Sequence, residues 1–454
     1  MLPSTPEFFC FLLLIFVLYW LTSRIRAAAI LLICSANLFF FAKWGLIYLA
    51  LIPAASTCDF FIGRLLARTE SKLNRRLLIS TSLLINIGLI VSSKYLPLFT
   101  GHGWILPLSL SFYAFQALTY TIDIYRRDIE PSASYSTYLA SVNFFPTILA
   151  GPITRVADLI PQFTKGRPLS AEDGGRAFFL IGMGLMKKFL IADYLAVNLI
   201  NRVFDLPTLY SGGDVLVAVY GYAFQLYYDF SGYTDIAIGS ALLLGIKLPP
   251  NFNAPYRAVN IADFWRRWHI TLSNWLRDYL YFSLPGKRSK WRPYLNLVIT
   301  FAIGGLWHGA NWTYLIWGML HGSGLAVFRG WQTARGKRKA NTAWWAKLAG
   351  IVLTFHFVLL AWIFFRAANV ETALAILKQL GAFPYGFDNV TRPFLMVLAI
   401  GVLAHFIPQN WYAISLKGFT RAPAIAQAAA LALLLIAIQY VGATGAAPFI
   451  YTKF

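Results

Sequence analysis

The chain has 454 residues, of which 58% are hydrophobic, 17% aromatic and only 13% charged, far below the roughly 25% charged residues of an average soluble domain. This composition excludes an ordinary soluble enzyme and a disordered chain. The formal net charge of +21 would suggest nucleic acid in a soluble protein, but the basic residues lie mostly in short loops between apolar runs, where membrane topology explains them, and no nucleic acid is expected as a partner.

Apolar runs near the length of a bilayer-spanning helix recur at residues 8–21, 27–42, 46–62, 77–93, 105–122, 177–200, 215–245, 293–328, 348–365, 393–408 and 423–441. They predict an all-α polytopic membrane protein of about ten or eleven transmembrane helices, with amphipathic and re-entrant helices besides. The segment before the first run, MLPSTPE, has no Lys or Arg, so that run reads as a retained helix and not a cleaved signal peptide. Placing the N-terminus outside puts Arg24, Arg26, Arg64, Arg68, Lys72, Arg75, Arg76, Arg126 and Arg127 in inside loops and only Lys43 and Lys94 in outside ones, the distribution the positive-inside rule favours. Cys10, Cys34 and Cys58 have no metal-ligand spacing and read as small packing residues. No linker, low-complexity tract or internal repeat divides the chain, so 1–454 reads as one membrane-embedded domain.

Residues 247–292 hold nine Lys or Arg and many aromatics, and residues 329–347 hold six basic residues and no acid. Both are expected to be cytoplasmic. Within the first, Ile261, Phe264, Trp265, Trp268, Leu272, Trp275, Leu276 and Tyr279 recur at helical spacing opposite Arg266, Arg267, Ser273, Asn274 and Arg277, predicting one amphipathic helix that Asp263 helps to start. His269 falls at the edge of the apolar stripe.

If both basic flanks are cytoplasmic, the run 293–328 must leave and return. As one helix its 36 residues would be about 54 Å long, well beyond a hydrocarbon core of about 30 Å. A bend is therefore expected, with Gly304, Gly305 and Gly309 as the hinge around Trp307 and His308. Non-helical backbone at membrane depth is tolerated where it is buried in protein or lines a wet cavity, which makes His308 a functional candidate. On a continuous helix His321 would be rotated by about 220° and displaced by about 20 Å from His308, so the pair is not expected to meet.

A second polar island, QLYYDFSGYTDIAIG at 225–239, carries Asp229 and Asp235, which either hold the tautomer of a histidine or pair with buried arginines. His269, His308, His321, Asp229 and Asp235 show no metal-binding spacing, so no metal is expected. P-loop, dinucleotide and GxSxG signatures are absent from the sequence.

Taken in order, NFFPTILAGPI (143–153), YYDFSGYTDIAIG (227–239), LPPNFNAPY (248–256), DFWRRWHITLSNWLRDYLY (263–281) and GGLWHGANW (304–312) resemble the membrane-bound O-acyltransferase family. The likeness is closest to a bacterial branch that acylates alginate, peptidoglycan or teichoic acid, and it is strongest over about residues 105–330. It implies a single membrane-embedded O-acyltransferase domain over 1–454, with helices around a central tunnel. By motif the family's deep histidine corresponds to His308, and the branch's second histidine to His269. Trp307, Asn311, Trp268 and Asp229 are expected to line the tunnel. The ending PFIYTKF is similar to an FxYxxF acyl-transfer motif, which would make Tyr451 an acyl carrier.

The resemblance implies transfer of an acyl group, acetyl by preference, from a cytoplasmic thioester such as acetyl-CoA or an acyl carrier protein to hydroxyls of an extracytoplasmic polysaccharide. No bound cofactor is implied. Tyr451 and a periplasmic SGNH-like acyltransferase would complete the route in a cytoplasmic (inner) membrane, with membrane lipid around the chain and both termini periplasmic. D-alanyl transfer from a carrier protein and a lipid or small-molecule transporter are the alternative readings. A neutral imidazole, with an ordinary pKa near ~6.5, suits proton abstraction from a hydroxyl, a role that falls to His308. His269 would orient the acceptor, donate to the oxyanion or complete a proton relay.

Overall fold

The computed structural model describes residues 2–95, 109–148, 151–286, 289–336, 343–382 and 385–441, which are helices and connecting turns with no strand among them. Three helices, Leu46–Arg68, Lys72–Lys94 and Trp344–Arg366, are long and apolar enough to cross a bilayer unaided. Arg392–Phe406 and Gln409–Arg421 reach that length together, bent by 95° at Ile407–Pro408, where the proline forces its predecessor out of helical backbone. Pro6–Thr22, Arg26–Ala42 and Ala424–Tyr440 are apolar but shorter. The chain is an all-α polytopic membrane protein. Several predicted apolar runs owe their character to packing inside the protein: the Gly212–Leu243 helix, for example, is buried over most of its length.

Contacts divide the chain into two compact units, one of residues 1–185, 233–249 and 416–428, the other of residues 186–232, 250–415 and 429–454. In the first unit, Arg26 donates to the carbonyls of Phe163 and Gln162. The Leu46–Arg68 and Lys72–Lys94 helices share a buried polar node. Ser82 Oγ donates to Asp59 Oδ1 at 2.6 Å and Asn86 Nδ2 to Asp59 Oδ2 at 2.8 Å, so this carboxyl at membrane depth is hydrogen-bonded on both oxygens.

The second unit is built around a helical hairpin, Arg292–His308 followed by Trp312–Arg335. The expected bend is present, but the hinge is narrower than expected. Only Gly309 lies in the break; Gly304 and Gly305 are helical. Asn311 then starts the second helix, its Oδ1 accepting from the Thr313 N–H at 3.1 Å. Gly305 serves close approach instead. A Cβ there would overlap the Tyr314 carbonyl, one on Gly318 would overlap the Phe301 carbonyl, and one on Gly322 would come within 2.7 Å of Val298 Cα. Small residues that let two helix backbones touch are the usual means of helix association in lipid. Gly318→Val is accordingly expected to force the hairpin apart, lowering the midpoint of thermal unfolding of the detergent-purified protein, whereas Gly330→Ala, whose Cβ meets nothing closer than 3.8 Å, should leave it unchanged.

The amphipathic stripe of 261–279 is real but not one helix. Ile261–Trp265 and Ile270–Trp275 are separate helices, followed by a wider-pitched turn at Leu276–Leu280. The break lies at His269, whose backbone is left-handed, φ +41°. Asn260, not Asp263, caps the first helix, accepting from the Asp263 N–H at 2.8 Å. The Asp263 carboxylate instead pairs with Arg267 at 3.1 Å.

Candidate active site

His308 is the last residue of its helix and is 3% exposed. Aromatic rings surround it, with centroids at 4.6 Å for Trp307, 5.0 Å for Phe365, 5.1 Å for Trp317 and 6.3 Å for Tyr314. The hairpin turn produces this enclosure, because it folds Tyr314 and Trp317 back against the helix end they follow.

The hairpin also changes the reading of His321. The expected separation assumed a continuous helix, yet in the folded hairpin Trp317 touches both imidazoles, at 5.1 Å from His308 and 5.0 Å from His321. His321 is fully buried and its Nδ1 accepts from the Trp265 indole N–H at 3.3 Å. It also stacks on Phe264. These contacts describe a ring that fixes the aromatic packing behind His308.

His269 is 1% exposed and is clamped by Asn251. Asn251 Oδ1 accepts from the Thr271 N–H at 3.2 Å and from Thr271 Oγ1 at 2.9 Å, which fixes the amide orientation. It lies 3.1 Å from His269 Nδ1. An amide oxygen only accepts, so Nδ1 carries the proton and Nε2 is the basic nitrogen of the neutral ring. Asn251 belongs to the LPPNFNAPY motif, where the sequence offered no cue to this role.

One aromatic cluster carries both histidines. From His308 it runs through Trp317 to Trp362 (6.0 Å), Trp268 (5.0 Å) and Phe252 (5.2 Å), whose ring stacks on His269. Trp307 and Trp268 are therefore packed into this cluster. Asn311 is not a lining residue in the same sense, since its side chain is occupied by the cap and by donating to the Ala368 carbonyl at 2.7 Å.

Asp229 has a lysine as an ion-pair partner. Lys188 Nζ lies 2.7 Å from Asp229 Oδ1 and 2.7 Å from Asp193 Oδ1, and all three side chains are at most 4% exposed. Local pitch explains the pairing. Met186–Asp193 is π-helical, and in that wider turn residues five apart face the same side, which brings Asp193 over Lys188. Such π segments frequently mark functional sites. The sequence did signal this cluster, because Lys187, Lys188 and Asp193 interrupt the apolar run 177–200. Asp235 falls in the stretch 233–249 assigned to the other unit. Tyr451 lies outside the described residues. Among the described residues, no three of His, Cys, Asp and Glu converge to hold a metal ion.

Residues 30–374 match the model of the MBOAT family, the membrane-bound O-acyltransferases. The chain belongs to the membrane-bound O-acyltransferase family. As a member of that family it is an acyltransferase, and the match spans both histidines and the hairpin. Among similar membrane-bound O-acyltransferase relatives, the chain is 38% identical to the peptidoglycan O-acetyltransferase of Helicobacter pylori, over 76% of this chain and 72% of that one. It is 35% identical to the probable alginate O-acetylase AlgI of Azotobacter vinelandii, over 94% of this chain and 88% of that one. Identity to the teichoic acid D-alanyltransferase of Bacillus subtilis is 30%, over 57% and 68%.

Proposed function

We propose that this acyltransferase moves an acetyl group from a cytoplasmic thioester, acetyl-CoA or an acyl carrier protein, toward hydroxyls of an extracytoplasmic polysaccharide, with His308 as the proton-transfer residue. The observation that carries the reading is a buried imidazole at the end of the Arg292–His308 helix, enclosed by Trp307, Trp317, Tyr314 and Phe365. A water-poor aromatic enclosure of that kind protects a thioester from hydrolysis while a hydroxyl attacks.

In the proposed step, His308 removes the proton from the acceptor hydroxyl as its oxygen attacks the thioester carbonyl. The carbon–sulfur bond then breaks, and the imidazolium returns that proton to the departing thiolate, so ester and free thiol are formed without net proton change. His269, with its basic Nε2 set by Asn251, orients the acceptor hydroxyl. Trp307 and Trp268 shape the substrate path, and the Lys188–Asp193–Asp229 cluster holds the surrounding helices. Acetyl is preferred to D-alanyl because the relatives matching at 35–38% identity are named for O-acetylation, whereas the D-alanyltransferase match is lower and shorter.

In this proposal the chain sits in the cytoplasmic membrane with both termini outside. That orientation puts the FxYxxF ending on the acceptor side, where Tyr451 would carry the acyl group as a tyrosyl ester to a periplasmic SGNH-like partner. Mass spectrometry of the C-terminal peptide isolated from cells tests the route. The expected result is an acetyl adduct on Tyr451 in the wild type and none in His308→Ala. A bare Tyr451 in the wild type, under conditions that preserve esters, would mean direct transfer to the polymer.

A further inference from the structure

His321 has no part in the chemistry described so far, and its ring carries a donor that the protein does not answer. Its Nδ1 accepts from the Trp265 indole N–H at 3.3 Å, so in the neutral ring Nε2 bears the hydrogen. That Nε2 is buried and has no hydrogen-bond partner among the described residues. One turn earlier on the same helix, the indole nitrogen of Trp317, which can only donate, is in the same condition. Both side chains are at most 2% exposed, and native structures seldom leave such buried donors unmet.

Observed distances gather these two rings beside the proposed base. The Trp317 and His321 centroids are 5.0 Å apart, and Trp362 closes a triangle with them at 6.0 Å from each. Trp317 also lies 5.1 Å from His308, with the two planes at 88°. The arrangement is held from several sides. Residues four apart on a helix are surface neighbours, Trp265 occupies the other His321 nitrogen, and the close approach at Gly318 and Gly322 seats this helix on its partner. Two N–H groups on touching rings thus lie within one aromatic enclosure next to His308, and no protein acceptor engages either of them.

We propose that the Trp317 indole and the His321 imidazole donate to the thioester carbonyl oxygen during acyl transfer. This assignment rests on the reaction proposed above. As the acceptor hydroxyl oxygen bonds to the carbonyl carbon, the carbonyl π pair moves onto its oxygen. Fixed N–H donors in a water-poor site stabilise that charge without having to reorganise. The pair then returns to re-form the carbonyl, the carbon–sulfur bond breaks with its electrons on sulfur, and the thiolate takes the proton held by His308. Trp317 and His321 keep their own protons throughout. The Trp265 hydrogen bond fixes which His321 nitrogen is the donor, because the bond made by one ring nitrogen sets the state of the other.

Trp317→Phe and His321→Phe remove the donors and keep aromatic bulk. Thiol release from acetyl-CoA is measured with the full chain purified in detergent. Loss of one such donor lowers turnover by about 10²–10³-fold, so each variant should lose kcat on that scale while KM for acetyl-CoA changes little. His321→Gln, which retains an N–H, should recover part of the loss. A purely structural role would lower the midpoint of thermal unfolding and leave kcat of the folded protein alone. A second readout needs no turnover: the infrared carbonyl band of acetyl-CoA, isotope-labelled at the carbonyl carbon, bound to His308→Ala. That band should lie below its position in free acetyl-CoA, and the shift should shrink when Trp317→Phe is added. An unshifted band in His308→Ala, or wild-type kcat in both phenylalanine variants, would mean that ring faces or a lodged water answer these donors, and would overturn the proposal. Wild type that releases no thiol from any acyl thioester would instead refute the proposed reaction itself.

Discussion

Replacing His308 with alanine should reduce acyl transfer by about 10²–10⁴-fold, the range removed with a general acid–base residue. The loss should appear in turnover and not in stability, because His308 contributes ring packing at a helix end whose fold is set by the Gly305, Gly318 and Gly322 contacts. The measurement is thiol release from acetyl-CoA by the purified protein, alongside its thermal unfolding and its affinity for coenzyme A. His308→Gln, which keeps much of the bulk and a polar end, should be as inactive as His308→Ala. An alanine variant that turns over at the wild-type rate would remove His308 from the chemistry.

The second large effect concerns stability. Lys188→Ala leaves Asp193 and Asp229 facing each other without their shared cation, at positions no more than 4% exposed. Removing one partner of a buried ion pair typically costs about 3–5 kcal/mol, because the remaining charge stays buried. Lys188→Ala should therefore unfold at a much lower temperature in detergent or fail to accumulate. The triple replacement Lys188→Met, Asp193→Asn and Asp229→Asn, which removes every charge at once, should recover most of that loss. If the triple variant is as unstable as Lys188→Ala, the cluster holds the structure through geometry that neutral side chains cannot reproduce.

The helical, membrane-embedded character of the chain was legible from its apolar runs, and the hairpin around His308 followed from the length of 293–328 between two basic flanks. What local spacing could not show was pairing across the fold. Asp229 announced itself as a buried charge, but its partner Lys188 lies in a segment whose wider pitch no 3.6-residue template reveals. His321 seemed remote from His308 while counted along a helix, and the hairpin put Trp317 between them. Gly304 and Gly305 were read as a hinge because glycine frees the backbone. Here Gly305 matters for the side chain it lacks. The stripe of 261–279 marked residues that are mostly buried, yet its periodicity hid the interruption over 266–269. Asn251 went unnoticed because a carboxamide acquires meaning only from the atoms around it.

The left-handed backbone of His269 has a consequence of its own. At φ +41° glycine would sit without strain, and an L-residue there gives up roughly 1–2 kcal/mol. For its backbone alone, this position would be better served by having no side chain at all. The Asn251 amide, bound to both Thr271 and the ring, is what keeps the imidazole at that corner. Residue 269 is thus a place where the protein gives up ease of folding to keep a particular heterocycle at one fixed orientation, and chemistry is the use to which such a sacrifice is ordinarily put.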